Sequence, residues 1–160
     1  MRLSILAVGR LKAGPERLLA GDYLSRAVAL GRKAGISRIA IQEFAESQAQ
    51  TAGARMAEEA RILAGAVPPK AITIVLDERG KAMSSPDFAA VLRRHMDQGE
   101  SDIAFLIGGP DGHAPETRER GHLLLSLGPM TWPHRLARVM LFEQIYRTVT
   151  IMVNHPYHRS

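Results

Sequence analysis

The chain has 160 residues, 46% hydrophobic and 23% charged, the make-up of one ordinary globular domain and not of a disordered or fibrous chain. It contains no cysteine, which excludes disulfides and thiolate metal sites, and no apolar run nears the roughly 20 residues that span a bilayer. Basic residues outnumber acidic ones 21 to 16, and unevenly: from Thr131 onward Glu143 is the only acid, against Arg135, Arg138, Arg147, Arg159 and three histidines. That basic end fits an anionic partner, RNA foremost, although a surface that merely happens to be basic accounts for it equally well.

Taken in chain order, strand-length apolar runs alternate with stretches of helical period. "RLSILAV" reads as a strand ended by Gly9; its run is too short for a signal peptide and lacks a cleavage site, so a cytoplasmic protein is expected. Leu19, Tyr23, Ala27 and Leu30 recur at helical spacing between Pro15 and Lys33, with Gly35 as the stop. "RIAIQEF" is a second strand, and Thr51 to Ala64 is rich in helix formers. "AITIVLD" is a strand of the kind buried on both faces. "SSPDFAAVLRRHM" opens with a serine cap, Pro86 in the first turn and Asp87 at the positive end of a helix. "DIAFLIGG" is a third buried strand, "PETRERGHLL" holds a short helix, Leu123 to Met130 contains a fifth strand, and Arg135 to Val153 forms a long last helix.

This alternation predicts a single α/β domain over residues 1–160, a mainly parallel sheet with helices on both faces. Ligands of such sheets sit beyond the carboxyl ends of the strands, which directs attention to "LDERGK", "IGGPDG" and "LGPMTWPH". The glycines of "IGGPDG" permit a tight turn or a close approach of backbone N–H groups to a ligand. Without a GK[ST] sequence the loop is not a phosphate cradle. Asp77 and Glu78 are adjacent, point different ways and have no third ligand nearby, so no metal is expected there.

The last helix is apolar on most sides, which fits burial or a subunit interface. Glu143 and Arg147, four apart, read as a helix-stabilising pair, whereas Arg138 lies on another side. His95 falls on the apolar stripe of its helix, and His113 and His122 are expected to face solvent. The terminal "HPYHRS" permits three readings: a frayed end, a metal clip, or part of a site. Metal is disfavoured because no further ligand adjoins His155 and His158. Tyr157 can stack on a base, Arg159 can hold phosphate, and either histidine can accept a proton near neutrality.

Together "LIGGPDG", "MTWPHRLARVMLFEQIYR" and "NHPYHR", with "LAVGRLK" and "LDERGK" before them, resemble the large-subunit ribosomal RNA pseudouridine N3-methyltransferases of the SPOUT superfamily. The resemblance covers essentially the whole chain. It implies a deep trefoil knot in the C-terminal half, which ordinary topology rules would exclude. It also implies a homodimer and S-adenosylmethionine as methyl donor. Carried over by motif, the cofactor residues are Leu76, Gly108, Leu127, Gly128, Pro129, Met130, Thr131 and Trp132. Trp132 stands where the family more often has Phe or Leu, "YRT" replaces "YRA", and the loop after Leu76 is unusually charged.

The substrate so implied is a pseudouridine of 23S rRNA in the assembled ribosome, methylated at N3, with neither metal nor membrane involved. The imide proton on N3 must leave, so His155 and His158 are the candidate bases and Arg138 a candidate stabiliser of the developing anion. Glu143 is the poorer base, being engaged by Arg147. Tyr157, Arg159 and Arg135 are the candidate RNA contacts, the tail forming an ordered lid over a pocket at the dimer interface. A non-catalytic RNA binder and a small nucleotide-handling enzyme remain as rivals.

Overall fold

The computed structural model describes residues 1–158. Its elements are β1 (Arg2–Val8), α1 (Pro15–Gly31), a 3₁₀ turn (Arg32–Ala34), β2 (Arg38–Phe44), α2 (Ala52–Ala66), β3 (Ile72–Ala82), α3 (Ser85–Asp97), β4 (Asp102–Ile107), α4 (Pro115–Arg120), β5 (Leu123–Ser126) and α5 (His134–Met152). The serine cap expected for α3 forms, and a threonine caps α2 as well. Thr51 Oγ1 accepts the Ala54 N–H at 3.2 Å to start α2, and Ser84 Oγ accepts that of Asp87 at 3.2 Å to start α3. The first helix stops earlier than its periodicity predicts: it tightens into the 3₁₀ turn, and Gly35 at φ 81 then reverses the chain.

All strands pair in parallel, in the order β2-β1-β4-β3-β5. Central β4 is buried along its whole length, as its unbroken apolar sequence requires. Side chains alternate across the sheet. Leu3, Ile5, Ile74, Ile103 and Phe105 join a core with α1, α3 and α5, whereas Leu6, Val75, Ala104 and Leu106 pack with Leu63 of α2. Helix α5 is the most deeply set, lying on α1 and α3 and burying nine residues, Leu141, Phe142, Ile145 and Val149 among them.

Strand β3 runs further than expected. Its register with β5 jumps from Leu76↔Leu125 to Lys81↔Leu125, so Asp77–Gly80 bulge out between two stretches of ladder. Gly80 lies hard against β5: a Cβ there would come within 2.6 Å of the Leu124 carbonyl carbon. This close passage between β3 and β5 is consistent with a C-terminal knot.

The tail leaves α5 through a Schellman turn. Asn154 takes the left-handed conformation at φ 54, its N–H bonding Ile151 O at 3.2 Å, and His155 N–H bonds Thr150 O at 2.8 Å. "VNHP" is therefore a helix stop: asparagine tolerates positive φ, and Pro156 cannot extend the helix.

Candidate functional site

The exits of β3, β4 and β5 converge on one cleft of about 450 Å³. Leu76, Gly108, Leu127, Gly128, Met130, Thr131 and Trp132 all line it; Pro129 does not, and its place is to stiffen the loop between lining neighbours. The walls mix apolar side chains and bare backbone with charged and polar groups, Asp77, Glu78, Arg79, Asp111, His113 and Arg118 among them. Gly128 holds φ 111, which an L side chain adopts only under strain, and Ser126 Oγ accepts its N–H at 3.2 Å. Met130 and Trp132 are exposed at 69% and 39%, unusually high for large apolar groups and suited to a mouth that a ligand or partner covers.

The glycine loop closes on itself through a Gly112 N–H to Gly109 O bond of 3.0 Å, and two helices hold it from behind. From α2, Arg55 grips Asp111 with two parallel bonds of 2.6 and 3.1 Å, the bidentate geometry that fixes orientation as well as distance. Asp111 is held below, and Arg55 above, its ordinary pKa by that bond. From α4, Arg118 donates to His113 O and stands 3.7 Å from Asp77 of the β3 bulge, tying two of the three loops together. His113 is buried, not solvent-facing as its polar surroundings predict. It sits behind the glycine loop, and desolvation pushes its imidazole pKa down, so the ring is neutral at physiological pH.

Glu59 is a residue that sequence analysis missed. It is only 3% exposed; Oε1 accepts the Ser47 N–H at 3.0 Å, while Oε2 has no hydrogen-bond partner among the described residues. A Cβ on Gly109 would lie 2.9 Å from that Oε2, so this part of the loop rests on the carboxyl. The signal was present: Glu59 precedes Leu63 by four positions, on the buried stripe of α2. Burial raises its pKa, with nearby Asp111 and Glu46 adding to the effect. A raised folded-state pKa means that the penalty for the charged form is absent below the carboxylate range and complete above it. Glu59→Gln should therefore gain stability at pH 8 and nothing at pH 3. Urea melts at the two pH values check this; an equal effect at both would contradict it.

Arg138 differs from the expectation placed on it. It is 1% exposed, does not line the cleft, and is engaged at both terminal nitrogens: Nη1 pairs with Glu43, and Nη2 donates to Val8 O at 3.2 Å and Gly9 O at 2.9 Å, while Nε has no partner among the described residues. Burial lowers its pKa and Glu43 partly restores it, leaving a guanidinium that fastens the end of β1 to α5. Arg135, one turn earlier, is exposed and has no carboxylate within ion-pair distance among the described residues.

The tail is ordered on its own helix. Tyr157 packs on Tyr146 with ring centroids 4.6 Å apart and donates to Glu143 Oε1 at 3.1 Å, while the Arg147 guanidinium lies 5.1 Å from its ring. Desolvation, with Tyr23 and Glu143 beside it, pushes the Tyr157 pKa up, so it stays a donor. Glu143 and Arg147 form the helix pair expected, at 2.6 Å. Tyr157 thus serves as the tail's anchor, in place of the exposed stacking surface expected of it. Arg159 lies outside the described residues. The tail turns back along α5 as far as Glu143, whereas the cleft meets the helix at His134 and Ala137, and no described tail residue lines it.

An open α/β sheet whose last three strand exits converge on one glycine-walled cleft has its ligand site where enzymes of this architecture carry theirs, and it lacks a phosphate-loop sequence. The family model described as "Predicted SPOUT methyltransferase" matches residues 1–158, and the chain belongs to that family. It is 51% identical, over the full length of both chains, to the "Ribosomal RNA large subunit methyltransferase H" of Rhodopseudomonas palustris (strain HaA2). It is 48% identical, again over both full lengths, to the protein of that name from Bradyrhizobium diazoefficiens. Among solved structures, a probable methylase family protein from Haemophilus influenzae Rd KW20 superposes with a TM-score of 0.49 at 13% identity, covering 99% of this chain and 70% of that one.

Proposed function

We propose that this protein methylates N3 of a pseudouridine in large-subunit (23S) ribosomal RNA, with S-adenosylmethionine as donor, working as a homodimer on the assembled ribosome. The observation that carries the reading is the convergence of three strand exits on one cleft within a methyltransferase family. The names of the full-length relatives supply the substrate class.

The donor set fits the cofactor. Leu76, Ile107, Leu127 and Trp132 offer flat apolar contact for an adenine, and the backbone of Gly108 and Gly128 offers hydrogen bonds without intruding side chains. When bound, the cofactor supplies an electrophilic methyl group on a sulfonium. The protein's share is orientation, for which effective molarities reach about 10⁵ M or more, and removal of the N3 proton. Calorimetry tests the first step. One S-adenosylmethionine should bind per cleft with no competition from ATP; absence of binding, or displacement by ATP, would remove the reading.

The tail folds back along its own α5 as far as Glu143, and no described tail residue lines the cleft of its own chain; in the homodimer it acts on the cleft of a second copy. Leu18 and Leu19 of α1, exposed at 77% and 46%, and Leu136 of α5, at 42%, support an apolar face between copies. Within the tail the two histidines are not equivalent. His155 Nδ1 accepts the Tyr157 N–H at 3.2 Å, which places the proton of the neutral ring on Nε2 and leaves no free lone pair. His158 Nδ1 has no partner among the described residues and is the better proton acceptor.

His158→Ala should slow single-turnover methylation by about 10²-fold, with the loss greatest at neutral pH, and His155→Ala by less than about tenfold. A wild-type rate for His158→Ala across pH 6–9 would end its role as base. Mixing a tail-truncated subunit with one whose cleft is blocked by Gly128→Val should restore activity in the mixed dimer. Two inactive parents that give an inactive mixture would show that the tail acts elsewhere.

A further inference from the structure

We infer that the loop leaving β1 is a preformed phosphate-binding ridge that, with Arg79 across the cleft, holds the RNA backbone on both sides of the methylation site. This inference rests on the RNA-methyltransferase reading above and adds the surface that grips the RNA.

The loop is exposed, yet its backbone is fixed at nearly every polar atom. Gly9 takes φ 84 and donates its N–H to Phe44 O at 2.8 Å. The carbonyls of Val8 and Gly9 accept from Arg138, the Leu11 N–H donates to Glu43 Oε1 at 3.0 Å, and Leu11 O accepts from Arg17 at 3.4 Å. Leu11 itself is buried, 7% exposed. Placing a guanidinium and its carboxylate beneath a surface loop is costly unless the loop must keep one shape. What the scaffold presents on either side of Leu11 is Arg10 and Lys12, both exposed and without an ion-pair partner among the described residues. The fixed backbone holds the attachment points of both cations, which lowers the ordering cost when they bind an anion.

Position supplies the second strand of evidence. The β1 exit flanks the β4 glycine loop on one side, since Ala7 pairs with Ile107, and the β3 bulge flanks it on the other. A Cβ on Gly109 would touch Val8 at 3.1 Å, so the β1 exit abuts the cleft wall. On the opposite flank Arg79 lines the cleft mouth, exposed and unpaired among the described residues. The strands that carry the two flanks, β1 and β3, lie two strand spacings apart across β4, about 10 Å. A polyanion crossing from one to the other would lay a single nucleotide over the cleft, whereas a free nucleotide or an acidic protein tail would not need cations on both sides.

The test is kcat/KM for large ribosomal subunits isolated unmethylated, measured with subsaturating subunits from 50 to 200 mM monovalent salt. Arg10→Ala/Lys12→Ala should lower kcat/KM at least about tenfold at 150 mM salt and flatten the log–log salt dependence by about 1.4 to 1.8. Arg79→Ala should flatten it by about 0.7 to 0.9. As control, Lys33→Ala/Lys70→Ala removes the same charge at the amino ends of the strands, away from the cleft, and should leave the slope unchanged. S-adenosylmethionine affinity, measured in Arg10→Ala/Lys12→Ala and in the control pair, should stay within about twofold of wild type, showing an intact fold. An unchanged slope in Arg10→Ala/Lys12→Ala, or an equal change in the control pair, overturns the ridge. Wild-type protein that transfers no methyl group to the subunits overturns the function instead, so the two failures are distinct.

Discussion

Replacing Gly80 by alanine should destabilise the protein by about 3 kcal/mol, at the upper end for an overpacked site, and lower Tm by about 6–12 °C. The added Cβ would meet the Leu124 carbonyl carbon at 2.6 Å, its oxygen at 2.7 Å and the Leu125 carbonyl carbon at 2.8 Å. All three atoms are backbone, and β5 is pinned by its ladder with β3, so no side chain can swing aside to relieve the contact. The same shift would push the bulge carrying Asp77 and Arg79 into the cleft, and cofactor affinity should fall with stability. Gly65→Ala provides the opposite control. Gly65 lies in α2 with nothing within 4 Å of an added Cβ, so the substitution should stabilise by about 0.5–1 kcal/mol. Thermal melts of the two variants check both signs, and a wild-type Tm for Gly80→Ala would contradict the close passage of β3 along β5.

The second large effect is expected at Arg138. Truncation to alanine removes the donor to the carbonyls of Val8 and Gly9 and the partner of Glu43 in one step. Breaking a buried pair from one side costs about 3–5 kcal/mol, because the remaining groups lose water as well as their partner. The Glu43 side chain keeps 31% of its exposure, which places the expected loss at the lower end, about 3 kcal/mol. Arg138→Lys should recover less than half of this, since an ammonium cannot span two carbonyls and a carboxylate in one plane. Chemical denaturation gives the stability. A variant with wild-type stability but a much reduced single-turnover rate would return Arg138 to the anion-stabilising role read from the sequence.

What the sequence reveals and what it hides follow the range of the interactions. The buried strands, the caps at Thr51 and Ser84 and the three cleft loops are legible because each depends on residues within a few positions. The residues of the cleft wall are legible for the same reason: a strand exit carries its ligand-facing loop directly behind it. Arg138 was recognised as unusual on an apolar helix, but its partners lie 95 and 130 residues away, beyond any local pattern. The return of β3 to the ladder at Lys81 depends on β5, so "LDERGK" reads as a loop when its second half is strand. His113 carries no periodicity that would announce burial, because a glycine turn and not a regular element sets its direction. Tyr157 reads as a free aromatic only until α5 supplies Tyr146 and Glu143 to receive it.

One measurement bears most directly on the whole reading: transfer of a labelled methyl group from S-adenosylmethionine to unmethylated large ribosomal subunits, followed by mapping of the modified nucleotide. The predicted result is one methyl group per subunit, on N3 of a single pseudouridine, with far less on an isolated hairpin of the same sequence. Label on another base would reassign the substrate, and no transfer to any ribosomal RNA, with the cofactor bound, would contradict the account.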